Sequence, residues 1–323
     1  MSNFTFLTEE QYFGSDKLDI FTLWKRGTKA AITDFSILLG ARVSDYDHVN
    51  GDTSLEGRTG KYWTKSDDGP NDARMVNFLG RSKFKSVLMR NVGARPALPF
   101  SSISSIPTNG ESGKRARKGV LEVEYGYYPQ KAESKEMQDI LERAYKSGRL
   151  TKTGNSYTTD SRNYHNYFRL FKAKTHEEYE FNGKRYVRVE ANSSYDGSKF
   201  TLSNGEEYKD GDNVWVEVLP VKWLVDKKFR MMITEKLIFS GVQFNCTRDY
   251  HTKDFDKTDI KKFMDDYFAR DLVQSRGIGQ QSQTRATNKT TKNENPYNLQ
   301  FRGDEVRSVS YTHLRAHETD QYL

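Results

Sequence analysis

Apolar positions near the start of the chain recur with the spacing of short helices. Thr8 and Gln11 have the spacing of a capping box, in which each side chain bonds the backbone N–H of the other residue. We therefore expect a helix to begin at Thr8. Residues 16–24 place large apolar side chains on one helical face. The apolar run 32–39 predicts another helix, which Gly40 would end.

Farther along, the pattern changes to short alternating segments separated by turn residues, which is typical of strands. Residues 120–125 alternate like a strand with one exposed face. The pair Asn182–Gly183 lies between two alternating runs and predicts a hairpin, because both turn positions need a positive φ. We expect Pro220 to break the apolar stretch 214–225 into two strands.

Two further helices are predicted in the second half of the chain. The range 137–145 carries an apolar stripe at helical spacing and is followed by Gly148. Thr258 is a candidate cap for a last helix over 260–268, which has a largely aromatic apolar face. Short strands mixed with a few helices predict the α+β fold class.

Composition divides the chain into segments. Residues 1–107 form a dense first segment, 108–118 a basic, glycine-containing linker, and 119–275 a second dense segment. Residues 276–308 are rich in Gln, Asn, Thr and Lys, and we expect them to be a disordered linker. The pattern leaves open whether the two dense segments form one domain or two.

The final residues differ in kind from the rest. Residues 309–320 resemble a translated reading frame of an adapter used in short-read DNA sequencing. We therefore interpret 309–323 as an artefact and expect the natural protein to continue beyond Ser308. His313 and His317 have the spacing of half a metal site, but on this interpretation we assign them no function.

Composition also narrows the class of protein. The chain has 323 residues, 13% of them aromatic, and its single cysteine, Cys246, excludes an intrachain disulfide. We find no signal peptide and no run of about 18 apolar residues, so we expect a cytoplasmic protein without a membrane partner. The net charge is +7, but the basic block at 114–118 lacks interleaved aromatics, so we expect no nucleic-acid partner.

Two ordered sets of motifs carry a resemblance to a known family. The first set is 6–13, Tyr62–Ser66, 72–74, Gly80 and 92–98, and the second is 125–130, 220–225 and 259–268. Together they resemble a bacterial domain of unknown function in the C-type-lectin and formylglycine-generating-enzyme superfamily. The family has the two sets in the opposite order. The resemblance therefore implies a C-type-lectin-like fold with circularly permuted halves, which is reasonable because the termini of compact domains are often close.

The span 40–99 also resembles the variable region of lectin-fold proteins that are diversified by retroelements. In such proteins a rigid frame presents exposed residues that vary. The frame residues that this resemblance implies are Trp63, Ala73, Gly80, Arg95 and Pro96. The presented, ligand-binding residues are Tyr46, Asn77, Phe78, Ser82, Phe84, Met89 and Asn91. Aromatic residues mixed with Asn and Ser are typical of recognition surfaces.

Catalytic and metal chemistry receive little support from the sequence. The superfamily's enzymes use paired cysteines, whereas this chain has Cys246 alone, beside the apolar run 238–242. The histidines lack partners at zinc spacing and the acidic cluster lacks the glycine of an EF-hand loop, so we interpret both as solvated or packed. They are His48, His165, His176 and His251, and Asp249, Asp254, Asp256 and Asp259. We expect no catalytic residue, no metal and no cofactor.

Trp63 and Arg95 have two interpretations. Either they contact a ligand, or Trp63 packs in the core while Arg95 pairs with a carboxylate such as Asp68 or Asp72.

The sequence therefore predicts a non-enzymatic protein that binds a protein or glycan through the surface built by 40–99. One alternative is a regulatory or adaptor module for a missing C-terminal domain such as an ATPase. Another is an enzyme of unknown chemistry. The ligand and the oligomeric state do not follow from the sequence.

Overall fold

The computed structural model has the α+β class predicted from the sequence, with many strands and few helices. It describes residues 4–24, 26–48, 54–69, 71–109, 114–117, 120–159, 173–192, 199–245 and 254–274. The predicted disordered linker 276–308 and the stretch 309–323 lie outside these ranges.

The helices are short. They are α1 (Glu9–Phe13), α2 (Ile20–Leu23), α3 (Asp34–Leu38), α4 (Lys135–Lys146), α5 (Asp259–Phe263) and α6 (Ala269–Gln274). A π-helical turn over Met264–Phe268 joins α5 to α6. Within the described ranges, no helix is long and apolar enough to cross a membrane.

The strands fall into two groups along the chain. Those of the first segment are β1 (Ala31–Ile32), β2 (Val43–His48), β3 (Arg58–Gly60), β4 (Tyr62–Asp67), β5 (Asp72–Val76), β6 (Ser82–Ser86) and β7 (Ala97–Pro99). Those that follow are β8 (Lys114–Arg117), β9 (Val120–Ala132), β10 (Thr151–Thr159), β11 (Ala173–Phe181), β12 (Lys184–Glu190), β13 (Phe200–Thr201), β14 (Glu207–Tyr208), β15 (Asn213–Asp226), β16 (Met231–Thr234) and β17 (Lys236–Leu237).

Local signals place the first helices. Thr8 caps α1, because its Oγ1 accepts the Gln11 N–H at 3.1 Å and Gln11 Oε1 accepts the Thr8 N–H at 2.9 Å. The predicted capping box is thus confirmed. α2 covers only the end of the predicted range 16–24. α3 begins later than residue 32, since β1 pairs in parallel with β17 immediately before it.

The helices predicted in the second segment are confirmed. Ser134 caps α4 by accepting the Met137 N–H at 3.3 Å, and the helix buries Leu141 in a cluster with Trp215. Thr258 Oγ1 caps α5 by accepting a backbone N–H one turn later.

The largest sheet is built around the long strand β15. In the described residues the order is β10–β11–β12–β15–β16–β7, with β9 on the opposite edge of β15 and β8 on β9. β7 comes from the first segment and pairs with β16, where Leu98 lies opposite Met232. The first segment therefore completes a sheet that the second segment otherwise provides.

β11 and β12 form the hairpin predicted from Asn182–Gly183. The two turn residues have φ angles of 50° and 76°, and Phe181 pairs with Lys184 across the turn.

The prediction that Pro220 breaks the strand was wrong, because β15 runs through it without interruption. Pro220 lies opposite Tyr127 and Lys222 lies opposite Glu124, so β9 carries one extra residue in a bulge. Gly126 occupies this bulge with a φ of 71°. An irregular ladder tolerates a residue without an N–H, so the proline does not end the strand.

The basic segment predicted as a solvated linker contains a strand. β8 pairs antiparallel with β9, and Arg117 lies opposite Val120. An edge of β9 without β8 would leave backbone donors and acceptors unpaired, and a neighbouring strand satisfies them whatever its side-chain charge. The rest of the basic block and its glycines lie outside the described residues.

Two smaller sheets carry the span expected to form the recognition surface. Their orders among the described residues are β17–β1–β3–β2 and β4–β5–β6. A bridge between Tyr62 and Gly93, and another between Ala94 and Phe239, fasten this region to the rest.

Both dense segments contribute to one hydrophobic core, whose members come from 4–106 and from 120–272. A buried carboxylate also joins them. Asp34, at the start of α3, accepts the Ala132 N–H at 2.8 Å and the Ser203 N–H at 2.9 Å. The two segments therefore enclose a common interior.

We expect Gly126→Ala to lower the free energy of unfolding by about 3 kcal/mol. A Cβ on Gly126 would lie 2.3 Å from Leu272 Cγ and 2.8 Å from the Leu272 carbonyl oxygen. Gly205→Ala is the matched control, since its φ of 83° is similar but no described atom lies within 4 Å of the added Cβ; we expect a loss of about 1 kcal/mol. Denaturant unfolding measures both, and equal losses would contradict the predicted clash.

We expect a fragment of residues 1–109 to lack a cooperative unfolding transition. Without β16, β17 and the C-terminal helices, the apolar residues of the first segment lose their covering surface. Thermal melting followed by circular dichroism, with the full chain as reference, measures this. A sharp transition of the isolated fragment would show that the shared core is dispensable.

Candidate functional site

The five frame residues implied by the lectin resemblance lie in the interior. Trp63, Ala73 and Arg95 have no exposed surface. Gly80 and Pro96 are also buried. These positions therefore serve packing.

Trp63 is a core residue. Its ring meets that of Phe244 in a T-shaped contact with the centroids 5.5 Å apart. Of the two interpretations offered for Trp63, packing in the core is the one observed.

Arg95 is a buried guanidinium held by a carbonyl, a hydroxyl and aromatic rings. Its Nε donates to the Thr234 carbonyl at 2.9 Å, and its Nη1 donates to Tyr62 Oη at 3.3 Å. Its Cζ lies 5.4 Å from the ring centroid of Tyr62 and 5.6 Å from that of Phe21. Burial raises the pKa of the Tyr62 phenol, and the Arg95 charge opposes that rise.

The expected pairing of Arg95 with Asp68 or Asp72 was wrong. Asp68 binds Arg74 at 2.8 Å instead. Both aspartates lie at the turn between β4 and β5, whereas Arg95 contacts Tyr62 at the opposite end of β4. Among the described residues no carboxylate pairs with Arg95, and its Nη2 has no hydrogen-bond partner.

Asn77 organises the turn between β5 and β6. Its Oδ1 accepts the N–H groups of Leu79 and Arg81, both at 3.0 Å. Thr28 Oγ1 donates to the Gly80 carbonyl at 2.6 Å, so the turn is fastened to the interior. The Asn77 side chain, predicted as ligand-binding, is thus engaged within the turn.

Three other predicted ligand-binding residues are partly buried. Ser82 donates a hydrogen bond to the Glu9 carboxylate on α1. Met89 packs against the core. Asn91 is half-buried, and its side-chain oxygen has no hydrogen-bond partner among the residues that the structure describes. Tyr46 lies on β2, but its side chain is outside the described residues.

The hairpin of β5 and β6 displays apolar side chains to solvent. Leu79 at its tip is 51% exposed and Phe84 on β6 is 56% exposed, while Phe78 is half-buried. Arg81 and Lys83 are also exposed on this hairpin, on the strand face opposite Phe84. We call Phe78, Leu79, Arg81, Lys83 and Phe84 the hairpin surface. Phe84 is the predicted ligand-binding residue that the structure exposes most clearly.

The remaining candidate groups do not assemble into a metal site in the part of the chain that the structure describes. His176 is buried with its ring 6.0 Å from that of Phe35. Asp254 caps a 3-10 turn and pairs with Lys257 at 3.2 Å, and Asp259 is buried. Cys246, His165, Asp249 and His251, and the side chain of His48, lie outside the described residues.

A buried ionic cluster was not foreseen from the sequence. Arg185 and Glu178 pair at 3.5 Å with side chains almost fully buried. Burial raises the pKa of the Tyr128 phenol, and the nearby charges of Asp271 and Glu178 raise it further. The cluster forms where β9, β11, β12 and α6 come together in the folded chain. No local sequence motif therefore predicts it.

Lys61 is another buried charged residue that was not predicted from the sequence. It directly precedes the Tyr62–Trp63 motif and is only 6% exposed. The one signal for it was a lysine inside a run, 59–64, that is otherwise uncharged.

Comparison of the chain with models of known protein families, with curated proteins and with solved structures gives no match. The site is therefore interpreted from its own geometry.

We expect Arg95→Lys to lower the free energy of unfolding by about 2–4 kcal/mol, because an ammonium cannot reproduce the planar, two-directional bonding of the buried guanidinium. Arg81→Lys, at an exposed position, is the control, with an expected change within about 0.5 kcal/mol. Urea unfolding measures both. A near-neutral Arg95→Lys would refute the assigned role of its hydrogen bonds.

Proposed function

We propose that this protein is a non-enzymatic recognition protein whose hairpin surface binds a protein or glycan ligand. The observation that carries the proposal is the exposure of Leu79 and Phe84 on a hairpin anchored by buried residues. Exposed apolar side chains add nothing to the core, whereas in a binding surface they supply contact area that excludes water.

The hairpin is held in place before any ligand arrives. Asn77 fixes the turn, Thr28 holds Gly80, and Glu9 binds both Ser82 and Arg74, the latter at 3.3 Å. A surface that is ordered in advance loses less conformational entropy on binding. This supports a recognition role for the exposed side chains of the hairpin.

The charge around Phe84 suggests the character of the ligand. Arg81 and Lys83 are exposed on the same hairpin, on the strand face opposite Phe84, so their positive field would attract a ligand that carries carboxylates. One strongly exposed ring does not make the series of stacking platforms that single-stranded nucleic acid uses. We therefore favour an acidic protein surface or an acidic glycan.

We further propose that the scaffold is C-type-lectin-like with its halves in permuted order and that the hairpin surface is diversified. The common core of the two segments and the burial of the frame residues support this proposal. Sequences of close relatives test it: changes concentrated at presented positions favour diversification, and changes spread evenly over the frame argue against it. A cytoplasmic location is part of the same proposal and rests on the single cysteine.

Binding is tested by screening the protein against a glycan array and a displayed library of acidic peptides. The ligands found are then titrated against Phe84→Ser. We expect affinity to fall about tenfold or more, since a central aromatic contact contributes about 1.4 kcal/mol or more.

Ile103→Ser is the matched control, because Ile103 is 54% exposed outside the hairpin. We expect it to leave affinity unchanged, and thermal unfolding checks that both variants remain folded. If both substitutions lowered the affinity for the ligand equally, or if neither changed it, the binding surface would lie elsewhere.

A further inference from the structure

The two edges of the β4–β5–β6 sheet differ in whether further backbone covers them. At β4 the Trp63 N–H donates to the Gly93 carbonyl at 3.1 Å. The Lys65 N–H on the same strand donates to the Leu7 carbonyl at 3.0 Å. At the other edge β6 pairs with β5 alone, and no further strand lies beside it among the described residues. The sheet therefore has one covered edge and one edge that a further strand can join.

The hydrogen bonds of the hairpin show which backbone groups of β6 point away from β5. Just before β6 the Asn77 N–H donates to the Arg81 carbonyl at 2.9 Å. Just after β6 the Val87 N–H donates to the Asn71 carbonyl at 3.0 Å. Bonded and non-bonded pairs of residues alternate along an antiparallel ladder. The odd-numbered residues of β6 therefore bond β5, and the even-numbered residues direct their N–H and C=O groups outward.

Two of the outward-directed residues, Ser82 and Phe84, have no backbone partner within the part of the chain that the structure describes. We call their N–H and C=O groups the open edge. The carbonyl of the next one, Ser86, accepts the Met89 N–H at 3.0 Å, so the turn after β6 closes that end. Folded proteins usually shield unpaired strand groups, because these groups can pair with another chain. Here the 56% exposed ring of Phe84 lies at the open edge instead.

The two faces of β6 carry different side chains. Lys83 and Lys85 lie on one face, where Lys83 is exposed and Lys85 is half-buried. Phe84 lies on the other face, opposite Arg74 of β5. Arg74 binds the Glu9 carboxylate at 3.3 Å, so negative charge is already present on the Phe84 face. A strand added at the open edge would therefore meet positive charge on one face and an aromatic ring on the other.

A second copy of the chain does not complement this edge. Antiparallel pairing through the outward groups sets even-numbered residues of one β6 opposite even-numbered residues of the other, and odd opposite odd. The odd-numbered residues of this stretch are Arg81, Lys83 and Lys85. Every antiparallel register that overlaps the two open edges thus sets cations opposite cations, which is destabilising. A strand with acidic residues at alternate positions has the complementary charge.

We propose that β6 binds an extended acidic segment of a partner protein, which joins the sheet at the open edge as an antiparallel strand. The proposal rests on the proposed function of the hairpin surface and names its ligand. Acidic residues of the segment lie opposite Lys83 and Lys85, and an apolar residue between them lies opposite Phe84. Backbone hydrogen bonds at the open edge hold the strand, and the alternation of acidic and apolar side chains gives specificity.

Strand addition makes a demand on the peptide backbone that recognition by side chains alone does not make. In an antiparallel pair the peptide residue opposite Phe84 exchanges both backbone hydrogen bonds with it. The peptide residues opposite the lysines direct their N–H groups away from β6. A methyl group on the nitrogen of the central residue therefore removes a donor that the complex needs, whereas a methyl group on a neighbouring nitrogen points outward.

The test uses the full chain and the peptide Ser-Thr-Glu-Val-Glu-Thr-Ser, with a fluorophore at its amino end and an amide at its carboxyl end. Fluorescence anisotropy at constant ionic strength measures the affinity. We expect saturable binding. N-methylation of the valine should weaken it about tenfold or more, because a backbone hydrogen bond is lost and bulk enters between the strands. N-methylation of the second glutamate is the matched control and should leave affinity within about threefold.

Charge reversal tests the face opposite Phe84. We expect Lys83→Glu with Lys85→Glu to weaken binding of the acidic peptide about tenfold or more. The same protein should gain affinity for Ser-Thr-Lys-Val-Lys-Thr-Ser, because the charges are again complementary. Lys209→Glu with Lys227→Glu changes the net charge equally at exposed positions outside the hairpin and should leave affinity within about threefold. Thermal unfolding checks that both variants remain folded.

Several results would overturn strand addition. They are the absence of saturable binding at peptide concentrations on the order of 1 mM, equal effects of the two N-methylations, and an equal loss with the two charge-reversed proteins. Self-association of the protein that Phe84→Ser removes would also overturn it, since a second copy would then occupy the open edge.

The proposed function of the hairpin surface is judged separately, by Phe84→Ser. A glycan or peptide whose affinity falls with Phe84→Ser keeps the hairpin surface as the binding surface even where strand addition fails. Conversely, if only the valine-methylated peptide bound weakly and Phe84→Ser had no effect, the added strand would be supported and the role of the exposed ring contradicted.

Discussion

The fold depends on one apolar interior to which both halves of the chain contribute. β7 of the first segment completes the sheet at β16, and β1 pairs in parallel with β17. Thr33 Oγ1 donates to the Leu237 carbonyl at 2.9 Å, and Asp34 accepts N–H groups from beyond the basic segment. Because backbone bonds and apolar contacts both cross between the halves, separating them would expose sheet edges and apolar faces to water. A permuted arrangement of two motif sets is compatible with such a shared interior.

This interior lets the hairpin surface be both fixed and exposed. The stability of the region comes from buried side chains such as Trp63 and Ala73, whereas Leu79 and Phe84 add little to it. Substitution at the exposed positions therefore has a small effect on folding and a large effect on what the surface contacts. That separation of stabilising from presenting residues is the physical condition for a recognition surface whose residues can change.

The buried charged groups of the molecule differ in which neighbouring groups stabilise them. Asp34 is surrounded by donors, and Arg95 is held by a carbonyl and aromatic rings. Lys261 has a carboxylate. Lys61 has no ion pair within the described residues, and burial, with the charges of Lys85 and Arg42, lowers its pKa to about 8.

Short-range patterns in the sequence determined the capping box at Thr8, the Asn182–Gly183 hairpin and the α4 stripe, because each rests on neighbours within a turn or a strand. The tertiary structure decided the rest. Pro220 continues a strand because Gly126 forms a bulge beside it, and the basic segment becomes β8 because β9 offers an edge. Arg95 bonds Thr234 because distant strands converge. Which groups share a buried space depends on contacts far apart in the chain, and periodicity does not encode them.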